Sequence, residues 1–201
     1  KKIMKNVIDI LKDSYSRNWI TPRDGNISYK LEGAKEFYIT PSGVRKQEIN
    51  NSDFIQISMN NDGWEQLNNF NLKPSGEIEL HYEILNSVTM EFFVVHLHPT
   101  YIISAMYSGL NLPDLVKDFP ELSRYTKVAN NTDLVLPLSK DLAEQCKTNL
   151  SYNNESQNFN FDIVGIPNHG VVSVGKSIFE AYEHIERLEH ISKIVLSSNK
   201  I

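Results

Sequence analysis

Cysteine is almost missing from this chain of 201 residues: Cys146 stands alone, which excludes an internal disulfide framework and any thiolate metal cluster. Metal ligands, if there are any, must be His, Asp or Glu. Positive charge is not in excess either: 20 Lys and Arg against 25 Asp and Glu give a formal net charge of −5, without the basic stripe that nucleic acid requires. No stretch approaches the roughly 18 consecutive apolar residues of a membrane-spanning helix. The opening Lys1-Lys2-Ile3-Met4-Lys5-Asn6 lacks the continuous hydrophobic centre of a signal peptide. The expectation is a cytoplasmic protein that binds neither nucleic acid nor membrane.

What remains is an ordinary globular composition, 40% hydrophobic and 22% charged. The length suits one domain over residues 1–201, large enough to bury a core without disulfides or a structural metal. A metal is therefore expected to serve chemistry. Ile3, Val7, Ile8, Leu11 and Tyr15 recur at helical spacing and predict an amphipathic helix ending near Asn18. Residues 27–31 and 36–40, separated by Gly33, predict an antiparallel hairpin, and residues 54–59 a third strand followed by a turn at Asn60-Asn61-Asp62-Gly63. Ser75 reads as the N-cap of a helix running to about Ser87, with Glu77 and Glu79 in its first turn. The apolar run of residues 92–98 predicts the central strand, and residues 101–108 a short helix that Pro113 and Pro120 keep from continuing. Residues 133–138 read as a strand, Lys140–Leu150 as a helix and residues 151–160 as a loop. Residues 161–166 and 170–174 read as paired strands around Pro167-Asn168-His169, before a long helix capped by Ser177. Strands with helices grouped around them predict a mixed α/β layered domain.

The segment Glu91-Phe92-Phe93-Val94-Val95-His96-Leu97-His98-Pro99 carries the strongest chemical signal. Residues i and i+2 of a strand share a face, so His96 and His98 present two imidazoles side by side at a stiff strand end. A strand can also carry two histidines for packing or pH response, and a metal would need a third ligand. His169, in Pro167-Asn168-His169-Gly170, makes the pair a candidate three-histidine site with coordination positions left open. His81, His184 and His190 fall within helical segments and read as packing or surface residues.

Lys73-Pro74-Ser75-Gly76-Glu77 puts a carboxylate beside a Ser-Gly turn that can receive an anion; taken alone, Glu77 only complements a helix dipole. Gly25-Asn26-Ile27-Ser28, Thr40-Pro41-Ser42-Gly43 and Pro74-Ser75-Gly76 are three such polar turns, able together to surround one phosphate with backbone N–H and hydroxyl donors.

Taken in order with His96-Leu97-His98 and Asn168-His169-Gly170, these motifs resemble the class II aldolase/adducin family over most of the chain. That family includes fuculose-phosphate and rhamnulose-phosphate aldolases, ribulose-phosphate 4-epimerase and methylthioribulose-phosphate dehydratase. The resemblance implies a three-layer α/β/α domain around a mostly antiparallel sheet, assembled as a homotetramer with sites between subunits. It also implies Zn²⁺ or another divalent first-row metal on His96, His98 and His169, and a phosphate on Asn26, Ser42, Gly43, Ser75 and Gly76. Glu77 would then transfer the proton. Ser75-Gly76 departs from the Pro-Ser-Ser of many sugar-phosphate aldolases, and Glu77 departs from the aspartate of the epimerase branch. Tyr125 is the nearest counterpart of a tyrosine donated by a neighbouring subunit; with Ile201 soon after the final helix, the C-terminal tail that carries another tyrosine is expected to be absent or shortened.

The implied reaction is metal-dependent aldol cleavage or formation of a short ketose phosphate, through an enediolate of dihydroxyacetone phosphate. A dehydratase of the methylthioribulose-phosphate type, or a non-catalytic adducin-like module, are the alternatives.

Overall fold

The computed structural model describes residues 1–198, so the last three residues, on which the expectation of a short tail rests, lie outside it. The period-2 segments become β1 (Asn26–Lys30), β2 (Glu36–Ile39), β3 (Ile55–Asn60), β4 (Gly63–Gln66) and β5 (Phe92–Leu97). After a short ribbon of β6 (Tyr152–Asn153) and β7 (Asn158–Phe159) come β8 (Ile163–Ile166) and β9 (Gly170–Gly175). Seven strands form one sheet in the order β4-β3-β2-β1-β5-β9-β8, and each neighbouring pair is antiparallel.

Helices α1 (Lys2–Ser16), α2 (Ile78–Leu85), α3 (Thr100–Tyr107), α4 (Leu112–Leu115), α5 (Pro120–Tyr125), α6 (Lys140–Leu150) and α7 (Ile178–Ser197) divide between the two faces. Alternation along β5 decides which residue meets which layer. Phe93, Val95 and Leu97 enter the core shared with α1, α3 and α7, whereas Phe92 and Val94 enter the core shared with α2 and α6. The result is the three-layer α/β/α arrangement expected, with an antiparallel sheet. Among the described residues no helix is long and apolar enough to cross a membrane.

Strand β1 breaks the apolar pattern on one side only. Ile27 and Tyr29 join the α7 core, while Asn26, Ser28 and Lys30 are buried polar residues of the opposite parity. The register sets Asn26 against His96, so the polar stripe of β1 runs beside the metal-ligand candidates of β5. Pro113 and Pro120 open α4 and α5 from their first turns, where a missing N–H costs nothing. Ser177 caps α7 as expected, accepting the Glu180 N–H.

Three local expectations are corrected. Ser75 does not cap α2: the N-cap is Glu77, and Ser75 lies two residues before it, its Oγ accepting the Glu77 N–H at 3.3 Å and its backbone N–H drawn to Thr40 O at 3.1 Å. Residues 133–138 form no strand. The Thr132 N–H still reaches Gly165 O at 2.9 Å, but Leu138 then adopts φ +64 and Leu134, Leu136 and Leu138 point outward. The apolar alternation there has no ladder to join. Residues 151–160 are not all loop, because β6 and β7 pair within them. The turn at residues 60–63 proves to be the tip of a hairpin whose second arm, β4, carries only one large apolar side chain, Trp64.

Candidate functional site

Three loops meet at one end of the sheet because backbone bonds draw them there. Pro41 bridges Pro74 in antiparallel fashion, the Ser42 N–H donates to Lys73 O at 2.8 Å, and the Ser75 N–H donates to Thr40 O. Thr40 in turn ties to β1, its N–H on Ile27 O and its Oγ1 accepting the Ile27 N–H at 3.2 Å. Gly43, at φ +76, makes the left-handed turn that sends the chain away. A cavity of about 320 Å³ opens between these loops and the strand ends. Asn26, Ser42, Ser75, Gly76, Glu77, His96, His98 and His169 all line it. Gly43 and Tyr125 do not: Gly43 accepts a hydrogen bond from Arg23 through its carbonyl, and Tyr125 is exposed between Arg124 and Arg187.

The three imidazoles converge. His96 Nε2 lies 3.1 Å from His98 Nε2 and 3.2 Å from His169 Nε2. Three nitrogens held 2.0–2.1 Å from a tetrahedral ion would be about 3.3 Å apart, so the spacing fits a shared cation. The tautomers of two rings agree, while His169 Nδ1 is buried without a hydrogen-bond partner among the described residues. His96 Nδ1 donates to Val171 O at 2.9 Å, which leaves its Nε2 as a lone pair facing two other ring nitrogens. His98 turns Nδ1 towards Asp24, 3.5 Å away. The approach of β9 to β5 that brings His169 in depends on Gly170, where a Cβ would lie 2.3 Å from Leu97 O.

Burial, reinforced by the neighbouring imidazoles, keeps the His96 pKa well below its ordinary value and brings His169 down to about 4. Both rings are neutral at pH 7, as ligands must be. Burial works against a charged Asp24 as well, but hydrogen bonds from His98 and the Thr21 N–H prevail and hold its carboxyl at about 2. The residues present therefore fit a divalent metal.

Glu77 stands beside this cluster, its Oε1 3.7 Å from His169 Nε2. Its side chain is buried, which raises the carboxyl pKa; a backbone N–H from Leu138 and the charge of His98 offset only part of that. A buried carboxylate with no ammonium or guanidinium within 4.0 Å among the described residues is suited to gaining and losing a proton.

The loop side of the cavity differs from expectation in its free donors. The Ser42 and Ser75 N–H groups are consumed by the bonds between loops, which leaves the serine hydroxyls, the Gly76 N–H group and the Asn26 amide to meet an anion, while Gly43, outside the cavity, is not among them. His81, expected to be a packing residue, orients that amide. Ser28 Oγ sits 2.5 Å from His81 Nδ1, and His81 Nε2 hydrogen-bonds Asn26 Oδ1. With Ser28 donating to Nδ1 and Nε2–H donating to Oδ1, the Asn26 NH₂ is left to the cavity. Lys46, which sequence reasoning also missed, lines the cavity while only 2% exposed. The helical spacing of His81, four residues after Glu77, was the one available signal for its nearness to the site; a lysine in a short polar turn offers none.

An antiparallel three-layer α/β/α fold with three converging imidazoles beside a glycine- and serine-lined cavity defines a protein with a candidate divalent-metal centre at one end of its sheet. The family profile Class II Aldolase and Adducin N-terminal domain matches residues 5–196, and the chain belongs to that family. Its sequence is 29% identical over 192 residues to the L-fuculose phosphate aldolase of Methanocaldococcus jannaschii, covering 96% of this chain and 94% of that protein. It is 27% identical over 203 residues to the methylthioribulose-1-phosphate dehydratase of Persephonella marina, covering 95% and 87%. A solved L-fuculose 1-phosphate aldolase superposes with a TM-score of 0.78 over 98% of this chain and 86% of that one, at 19% identity, a likeness of fold. The histidine cluster is consistent with the divalent metal site typical of class II aldolases.

Proposed function

We propose that this chain is a Zn²⁺-dependent aldolase that breaks or forms a carbon–carbon bond in a short ketose phosphate, with dihydroxyacetone phosphate as the donor fragment. The observation that carries the reading is Glu77: a buried carboxylate with a raised pKa, 3.7 Å from a ring nitrogen of the three-imidazole cluster, in a cavity also lined by the serine and glycine turns. Its support from relatives is their shared length and the name L-fuculose phosphate aldolase.

His96, His98 and His169 hold the cation, which when bound supplies Lewis acidity for the negative charge that develops on the substrate oxygens. In the condensing direction the Glu77 carboxylate takes the proton from the carbon α to the carbonyl; in cleavage it returns it. Burial brings its pKa closer to neutrality, where it can serve in both roles. Ser42, Ser75, the Gly76 N–H group and the Asn26 amide hold the phosphate, binding energy remote from the reacting carbon that fixes its orientation. Tyr125 is exposed and outside the cavity of its own chain, so its place in the mechanism is as a group donated to a neighbouring subunit of a homotetramer.

The second reading is a dehydratase, favoured by Ser75-Gly76 in place of paired serines and by the likeness to methylthioribulose-1-phosphate dehydratases. The test is to incubate the zinc-loaded protein with a panel of phosphorylated ketoses and identify products by mass. Release of dihydroxyacetone phosphate with an aldehyde supports the aldolase; loss of one water without cleavage replaces it with the dehydratase. Protein that binds no divalent metal overturns both in favour of a non-catalytic module.

A further inference from the structure

We propose that Lys46 supplies the positive charge that neutralises the substrate phosphate and makes the site selective for phosphorylated over unphosphorylated sugars. The inference rests on the phosphate reading of the cavity given above.

Lys46 opens a short 3₁₀ turn (Lys46–Glu48) just after the Ser42-Gly43 loop, and its backbone N–H is anchored on Pro22 O at 2.7 Å. That anchor turns a residue type normally found in solvent inward. Its ammonium reaches Pro41 O at 3.3 Å and Val44 O at 3.4 Å, both long for N–H···O bonds. Among the described residues no carboxylate lies within 4.0 Å of Nζ. Asp24, the carboxylate that acts on it from a distance, is already engaged by His98 and by the Thr21 N–H.

An ammonium buried without a counter-ion is unfavourable, because water is lost and nothing of opposite sign replaces it. Here it lines the same cavity as the neutral Asn26, Ser42, Ser75 and Gly76; the carboxyls of Asp24 and Glu77 lie on the histidine side, and the one other cation of the lining, Arg23, is exposed and bonded to Gly43 O. With the Ser42 and Ser75 N–H groups already used, those neutral donors are few for a group carrying nearly two charges. A phosphate between the loops would give Lys46 its missing partner. The competing account is a staple: an amine that ties the loop by bonding two carbonyls. A neutral donor would do that as well, and two bonds of 3.3 and 3.4 Å tie it poorly.

The experiment titrates inorganic phosphate into the metal-loaded protein by calorimetry, for the unaltered chain, Lys46→Gln, Lys46→Met and Lys46→Arg, with folding checked by circular dichroism. Lys46→Gln keeps an N–H donor for the carbonyls and removes the charge. We expect Lys46→Gln and Lys46→Met to weaken phosphate binding about tenfold or more, while Lys46→Arg keeps most of it. In turnover the two uncharged variants should raise KM for a phosphorylated ketose and leave kcat nearly unchanged. Phosphate binding by Lys46→Gln as tight as that of the unaltered protein overturns the charge role and leaves the phosphate reading standing. No phosphate binding by the unaltered protein overturns the phosphate reading, and this inference with it. If both uncharged variants fail to fold, loss of binding in Lys46→Arg overturns the proposal and retention supports it.

Discussion

His96 and His81 are equally hidden from solvent and stand on adjoining elements, β5 and α2, yet their ring nitrogens are spent differently. Both nitrogens of His81 meet a matched partner, Ser28 on one side and Asn26 on the other. Only one nitrogen of His96 does, on Val171 O; the other faces the ring nitrogens of His98 and His169, where no proton satisfies all three. Burial lowers the pKa of both rings, so neither burial nor pKa separates a ligand from a positioning residue. What separates them is the inventory of partners: a ring whose hydrogen bonds are complete holds its neighbours, and a ring left with a converging lone pair is open to an ion.

The comparison is broken most severely by His96→Ala. Two imidazoles remain, and the expected outcome is loss of stoichiometric zinc in metal analysis with turnover falling to background; turnover that survives without zinc would sink the three-histidine centre. Glu77→Gln should leave metal content intact and lower kcat by about 10²–10⁴, the usual share of a proton-transfer group. Equal zinc with nearly unaltered kcat would remove Glu77 from the mechanism.

His81→Gln should act more gently and on another parameter. Released from the ring, the Asn26 amide can rotate, and KM for the phosphorylated substrate is expected to rise about three- to tenfold with zinc content unchanged, the range of one or two weakened hydrogen bonds. The same variant should alter stability against pH. The His81 pKa lies near 3 in the folded chain against about 6.5 when unfolded. Its contribution is therefore complete above pH 6.5 and is lost as pH falls towards 3, where the unfolded chain takes up a proton that the folded chain refuses. Denaturant midpoints measured across that window should fall less steeply for His81→Gln; identical slopes would mean that His81 is not held neutral.

The histidine cluster was legible in the sequence because it depends on a short-range rule: His96 and His98 share a face by strand parity, and His169 sits in the Pro167-Asn168-His169 hairpin turn. The layered antiparallel fold was legible for the same reason, since its strands alternate and its helices carry apolar stripes. The roles of His81 and Lys46 were not. His81 earns its position from β1, more than 50 residues earlier, whose Asn26 and Ser28 supply its partners. Lys46 turns inward through one bond to Pro22 O, which nothing in Val44-Arg45-Lys46-Gln47 foretells. Ser75 looked like a cap because local pattern favours it; its Oγ does take the Glu77 N–H, but the helix begins only at Ile78, after the backbone of Ser75 has paired with Thr40. In residues 133–138 alternation was real but unpaired.

The register of β1 against β5 has one more consequence. Asn26 and His96 are ladder neighbours, so the Asn26 amide and the His96 imidazole are set about 4.8 Å apart at the backbone by the spacing between strands. Ser42, Ser75 and Gly76 reach the same cavity from loops, and the backbone bonds of Ser42 and Ser75 join those loops to each other rather than to that ladder. The cavity thus has one wall whose spacing belongs to the sheet and another that a change in loop sequence can shift.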